Sequence, residues 1–528
     1  MKINNLLKRN CTVKNSSSTA GANKLILFAL ISLLVLSGCA GKEQRGKDGN
    51  ENRYIHFLYN FSTRSLDPQV DSSYVPLRAG ITETLVKLDD EQLKVVPWLA
   101  ESWEGTDGRN WVIHLREGIT FHNGRKMDGE AVKESLQRSL TENPAMKNAL
   151  KIDTITAKGL TLHITTSQQF PEFISELVHP NVSIIDVHAE DIVNHPVGTG
   201  PFVLELFAPG SKLELRRFDG YWDGASRLDT VTFSFNEDAN ARSLALQSGQ
   251  VDIVYRPEVV TLPKLQGQAG IKVEATSTFR VHQMTMNLER PAMGDIHVRK
   301  AVDALINRDE IVGSILQGYG ETAQGPFPPV LPFAPSYDSR PGGADHAKRY
   351  LAEAGYSLVD GKMQKDGEAL KLVLLTYSSR ADLPLIAQIF QSDAKQIGID
   401  VEIRMIDTPE EYMTSNRDWD LTTYSNLTAP RGDGGYYLFA TYHPDGALNF
   451  SRTSEPELTA MIDELNQTVD TEKRAELAER AALYVYENVL NSFILYPSTV
   501  VAYNEQKVKN WVTSKSEYYM ITNQLDVN

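Results

Sequence analysis

Between residues 372 and 403 the chain changes its hydrophobic period twice. Leu372–Tyr377 is a short apolar run of strand character, Leu383–Ile397 carries apolar residues at helical spacing and ends at Gly398, and Ile399–Ile403 alternates again. Strand, helix and strand in such close succession predict a βαβ unit, in which the helix carries the chain back so that the two strands pair in parallel. Similar changes of period recur along the chain. Tyr54–Tyr59, Trp111–Leu115, Leu160–Thr165, Lys212–Arg216 and Val231–Phe235 read as strands. Asp128 caps a predicted helix with Ala131, Val132, Leu136 and Leu140 on one face. Val298–Leu316 predicts another, with Ala301, Leu305, Ile311 and Ile315 inward and Arg299 and Arg308 on its polar side. A chain of 528 residues exceeds what one core holds, so a mixed α/β protein of two or more lobes is expected.

No covalent bridge supports that fold. The two cysteines are Cys11 and Cys39, and both belong to the N-terminal segment. There Lys2, Lys8, Arg9, Lys14 and Lys24 precede an apolar run, Leu25–Leu36, that is closed by Ser37, Gly38 and Cys39. A basic leader, a short apolar stretch and a small-residue cleavage site make a secretory signal, and the run falls short of the ~20 residues a span requires. Leu-Ser-Gly-Cys resembles a lipobox. It predicts residues 1–38 as a lipoprotein signal peptide, Cys39 as a lipidated (palmitate-bearing) N-terminus and residues 39–53 as a polar, flexible tether. The expected location is the outer face of the cell membrane, on a Gram-positive cell surface, with the lipid as the membrane contact. The body then has neither a disulfide nor a cysteine metal site.

Residues 1–38 hold five Lys/Arg and no acid, so the remainder carries 48 basic against 68 acidic groups, a net charge of −20. That balance excludes nucleic acid as a partner, because its binding rests on Lys/Arg neutralising phosphates. The sequence contains no HExxH, no GxSxG elbow, no phosphate loop and no GxGxxG turn. Gly198-Thr-Gly200 leads into Pro201 and a strand-like run, so the two glycines are expected to serve a tight turn. The eleven histidines are scattered without close ligand spacing. No catalytic residue and no cofactor emerge, and the chain is expected not to be an enzyme.

From residue 54 onward the chain resembles the extracytoplasmic solute-binding proteins of peptide and nickel ABC importers, family 5. The resemblance rests on motifs in the family's order: Arg64–Pro68, Val96–Trp103, Gly118–Gly124, Val197–Phe202 with Tyr221-Trp222, Leu246–Ile253, Val298–Val302 through Pro329, and Ala347–Gly355. It implies two lobes of the periplasmic-binding-protein kind (class II), with an extra subdomain in lobe I and a ligand cleft between the lobes that closes by hinge motion. On family grounds lobe I comprises residues 54–280 plus 495–528 and lobe II residues 281–494. The implied protein is a monomeric transport receptor that hands its cargo to the transmembrane subunits of a permease.

Cargo is set by a few cleft residues and not by fold. Thr428–Leu438 is the most site-like segment, rich in glycine beside charge and aromatics. Arg431 would hold a carboxylate in its planar fork. Thr428, Asp433, Tyr436 and Tyr437 accompany it, and His443 is the candidate metal ligand or chelate contact. Against that stands a loop in which Arg431 and Asp433 pair locally. Tyr59, Arg78 and Asn181 complete the candidate ligand-binding set, Arg78 as a second anion holder. Asn181 stands where a nickel-binding member carries an arginine, so the same chelator geometry is not implied. The segment around Arg78 resembles nickel-type members of the family more than peptide-type ones, which implies nickel, carried as a histidine-type or metallophore-type chelate, over the alternative, an oligopeptide or dipeptide. Nickel prefers imidazole and other N/O donors, and no histidine cluster supplies them, so the chelator fills the metal's coordination sphere.

Overall fold

The computed structural model describes residues 52–105 and 107–528. The expected signal peptide, Cys39 and all but the end of the tether lie outside the described residues. Among the described residues no helix is long and apolar enough to cross a membrane.

The βαβ unit forms as its periodicity predicts. Strands Lys371–Thr376 and Asp400–Met405 pair in parallel, Leu372 opposite Val401 and Leu374 opposite Ile403. Helix Asp382–Gln396 buries Leu383, Ile386, Ala387, Phe390 and Ala394 between them and solvent. Its end requires glycine, because Gly398 has φ +87° and a Cβ there would meet the Gly361 carbonyl oxygen at 2.8 Å. Asp128 caps its helix as expected, accepting from the Ala131 N–H at 3.0 Å.

One long strand, Asn491–Asn504, joins the two α/β halves. Its beginning pairs antiparallel with Arg280–Met286, Asn491 opposite Thr285, and the sheet continues through Leu421–Leu427, Lys371–Thr376 and Asp400–Met405. Its end pairs with Ile253–Tyr255 and Ile271–Ser277, and the sheet continues through Tyr54–Tyr59, Thr230–Phe235, Lys212–Arg217 and Phe202–Ala208. Each half has its own apolar core, around Phe57 and Phe233 in one and around Phe390 and Trp419 in the other. An additional four-stranded antiparallel sheet, Ala100–Gly105, Asn110–Leu115, Thr161–Thr166 and Ile152–Lys158, carries helix Gly129–Glu142. Its core, with Trp111 and Phe173, runs on without a break into Phe327 and Tyr437 of the other half. The molecule is therefore a two-lobe α/β protein whose lobes meet across a cleft.

Three expectations are corrected. Val298–Leu316 is not one helix: Ile296–Leu305 ends at Ile306, and Asn307 caps a new turn by accepting from the Glu310 N–H. The arginines are not on a solvated face. Arg299 is buried and donates to the carbonyls of Met293, Asn488 and Val489, while Arg308 donates to those of Ala323 and Phe493. Buried carbonyl oxygens otherwise left unpaired explain why a guanidinium, with five donors, stands there. Gly198 and Gly200 also serve a purpose other than the expected turn. Neither has positive φ; a Cβ on them would meet the Ile81 and Gly80 carbonyl oxygens at 2.2 and 2.3 Å. They are small because two backbones lie against each other.

Candidate ligand cleft

Strand Leu421–Leu427 delivers the Gly-rich segment to the cleft. Thr428 anchors it, donating both its N–H and its hydroxyl to the Phe279 carbonyl at 2.7 and 3.0 Å. Gly432 then turns through φ +76° so close to the opposite half that a Cβ would meet Leu93 O at 2.9 Å. Asp433 accepts from the Gly435 N–H at 2.6 Å and from Arg474 Nη2 at 2.9 Å. Helix Gly435–Tyr442 follows.

These turns set Arg431 in the interior, 1% exposed. It does not pair with Asp433. Its Nη1 pairs with the Glu176 carboxylate of the opposite half, and its guanidinium carbon lies 3.8 Å from the centre of the Tyr436 ring. Nε and Nη2 are buried without a hydrogen bond among the described residues. These two atoms form one edge of the guanidinium plane, the edge that takes a carboxylate through two parallel bonds. Burial lowers the Arg431 pKa, with Tyr436, Tyr518 and Tyr74 opposing.

A cavity of about 300 Å³ opens beside it, lined among others by Tyr74, Glu176, His179, Asn181, Arg431 and Tyr436. Burial pushes Tyr74 up to about 12 and His179 down to about 4, so both are neutral near pH 7. His179 Nδ1 accepts from the Asn181 N–H at 3.1 Å, which puts its proton on Nε2 and makes that atom a donor. The Asn181 side chain is occupied, donating to the carbonyls of Pro68 and Asp71 at 2.8 and 3.1 Å. At one end of the cavity Glu172 and Asp433 share Arg474, at 2.8 and 2.9 Å. Burial, then Asp433, pushes Glu172 up to about 7 while Arg474 opposes.

A second layer holds Tyr59 and Arg78. Tyr59 is fully buried among Phe57, Phe233 and Tyr255, with the Arg78 guanidinium carbon 5.5 Å from its ring centre. Arg78 Nε donates to the Glu517 carbonyl at 2.9 Å and Nη1 to the Ser73 carbonyl at 2.6 Å. The Glu517 carboxylate accepts from Arg280 Nε and Nη2, both at 2.9 Å, and from Arg256 Nη2 at 2.8 Å. Against the pull of burial, those arginines hold it well below the ordinary carboxylate range.

Of the expected residues, Asn181, Arg431, Asp433 and Tyr436 share the cavity wall. Thr428 is an anchor behind it, and Tyr437 points away, donating to Gln283 Oε1 at 2.9 Å. His443 lies beyond the end of its helix. It stacks on Phe439 at 4.5 Å, accepts from the Asp445 N–H at 3.1 Å and has Nε2 3.4 Å from Asp463. Tyr74, Glu176 and His179 are wall residues that sequence patterns did not single out.

Two α/β lobes joined by two crossovers, one at residues 277–280 and one along Asn491–Asn504, with a charged aromatic cleft, define a solute-binding receptor. The model of the bacterial extracellular solute-binding proteins, family 5 (Middle), matches residues 94–449, and the chain belongs to this family. The nickel-binding protein NikA of Staphylococcus aureus is 34% identical over 491 residues, covering 93% of this chain and 96% of that protein. A solved nickel ABC transporter protein from Bacillus halodurans is 67% identical with a TM-score of 0.75, covering 90% of this chain and all of that one. Staphylococcus aureus NikA in complex with Ni(L-His)2 is 33% identical with a TM-score of 0.82 at the same coverage. The chain is a transport binding protein and not an enzyme.

Proposed function

We propose that this protein captures nickel as a histidine-type chelate and presents it to the permease of an ABC importer. The observation that carries this reading is Arg431 itself, buried and charged in the wall of a cavity of about 300 Å³, with Nε and Nη2 unpaired among the described residues. A carboxylate satisfies that edge through two charge-assisted bonds, and the His179 Nε2–H offers a further donor in the same wall. Among the described residues no group of three or more His, Cys, Asp or Glu is placed to hold a metal ion. The chelator therefore supplies the nickel's nitrogen and oxygen donors, while the protein binds the chelator's carboxylate. The nickel-binding names of the relatives support the same cargo.

In this reading lobe I is residues 54–280 plus 495–528 and lobe II residues 281–494. Closure brings Arg431 of lobe II onto Glu176 of lobe I and seals the cargo between them. A lipidated Cys39 keeps the monomeric receptor at the outer membrane face, beside its permease.

Thermal shift of the purified protein tests it, with Ni²⁺, Co²⁺ and Zn²⁺ each alone and with excess L-histidine, and with mixed peptides of two to six residues. A ligand at 100 times its Kd stabilises by about 2.7 kcal/mol. The expected result is a rise with nickel plus histidine. A rise with peptides alone overturns the chelate reading and makes this a peptide receptor.

A further inference from the structure

Where the two crossovers run side by side there is a second, smaller cavity of about 120 Å³. Asn60 and Arg256 reach it from one half, Arg380 and Asp382 from the other, and His282 from the crossover itself. Four of its polar atoms are buried without a hydrogen bond among the described residues: Asn60 Oδ1, Arg256 Nε, His282 Nδ1 and Arg380 Nη1. His282 and Asn60 are 1% and 6% exposed, so solvent does not satisfy them. Leaving such groups unpaired is unfavourable, and more so for charged ones. Four unpaired polar atoms on the residues lining one small cavity suit it to a polar occupant.

The donors identify its sign. Arg256 has its Nη2 committed to Glu517 at 2.8 Å, which leaves Nε for the cavity. Arg380 reaches across from the second half, its guanidinium carbon 5.8 Å from the Phe61 ring centre. His282 is fixed by its Nε2 on Asp382 Oδ2 at 2.7 Å. Arg242 also lines the space, but its guanidinium is spent on the carbonyls of Asn236, Tyr255 and Arg256. Glu258 and Asp382 are the carboxylates of the wall, and Asp382 is engaged by its hydrogen bond with His282. Arg256 and Arg380 enter this lining from opposite halves, and Arg380 has no ion pair among the described residues.

We propose that this cavity is an oxyanion site at the crossovers, taking a small carboxylate or phosphate. An anion there bridges Arg256 and Arg380 and favours the arrangement in which the lobes meet. The space is too small for an amino-acid chelate. The oxyanion is either free in solution or the protruding carboxylate of a larger molecule in the cleft.

The test is isothermal titration of the purified full chain with sodium acetate and, separately, sodium phosphate, against sodium chloride at equal ionic strength. No nickel is present, so the outcome does not depend on the cargo proposed above. Saturable binding is expected, weakened at least tenfold in Arg380→Gln and in Asn60→Asp, which sets a negative charge against the anion. Two variants from different halves guard against one failing to fold, and melting curves identify any that does. Binding that persists under saturating nickel plus histidine marks a free anion; binding displaced by it marks the cargo's own carboxylate, and both support the site. The absence of saturable binding by either anion, or wild-type affinity in both folded variants, overturns it.

Discussion

Tyr221 donates its hydroxyl to Glu83 Oε1 at 2.7 Å, 138 residues away along the chain. Thr199 donates to Oε2 of the same carboxylate at 2.7 Å, and Trp222 Nε1 lies 3.2 and 3.3 Å from the two oxygens. The Gly-Thr-Gly and Tyr-Trp segments, far apart in sequence, are thus held to one another through a buried acid. Burial pushes Glu83 up to about 7, with the three donors opposing. A carboxyl group that binds its proton more tightly when folded contributes stability that is full below the unfolded value, near 4.5, and is lost as pH rises through about 7. The whole change is on the order of 3 kcal/mol. Glu83→Gln is expected to flatten the melting temperature between pH 5 and 8 relative to wild type; parallel profiles would show that Glu83 titrates normally.

On the proposed reading Arg431 has two separable roles, charge for Glu176 and a fork for the ligand. Arg431→Lys keeps the first and removes the second, because an ammonium is a point charge without the planar edge. Hydrogen bonds to charged groups are worth about 1.5–3 kcal/mol, so affinity for nickel plus histidine should fall more than tenfold while the melting temperature holds. Arg431→Ala should lower both, since it strands a buried Glu176. Titration calorimetry beside melting curves separates the two, and undiminished affinity in the lysine variant would remove the fork from the site.

Much of this architecture is legible locally. The unit from Leu372 to Ile403 and the Asp128 cap follow from period and side-chain chemistry within a few residues. Arg431 stood out because charge beside glycine in a loop is unusual in a purely structural segment. Its partner Glu176 is 255 positions away, and no local pattern joins them. Tyr436 and Tyr437 are adjacent and alike, yet about 100° of helical rotation sends one to the cavity and the other to Gln283. Arg299 and Arg308 looked solvated because a charge is normally outside; their carbonyl partners come from chain segments the spacing does not reveal.

Gly432 turns the loop where the two halves approach. Gly432→Ala meets strain twice, from φ +76° and from a Cβ 2.9 Å from the Leu93 carbonyl oxygen. A left-handed non-glycine costs about 1–2 kcal/mol before any collision. Because the obstruction lies between halves, the variant is expected to lose affinity more than it loses stability. Equal ligand affinity with a lowered melting temperature would place the strain within one lobe alone.

His443 separates two accounts of how nickel is held. If the chelator supplies the metal's donors, no histidine of this chain needs to enter the coordination sphere, and the placement of His443 agrees. One ring nitrogen accepts a backbone N–H, the other faces Asp463, and the ring lies flat on Phe439. His443→Ala should therefore leave nickel–histidine affinity within about twofold of wild type, at a modest cost of ~1 kcal/mol from the lost contacts. His179→Ala is the informative contrast, since it removes an Nε2–H from the cavity wall and leaves the asparagine beside it without its acceptor. It should weaken binding severalfold with L-histidine as chelator. Loss of nickel binding in His443→Ala with retention in His179→Ala would instead bring the metal to the far end of the helix and require protein ligation.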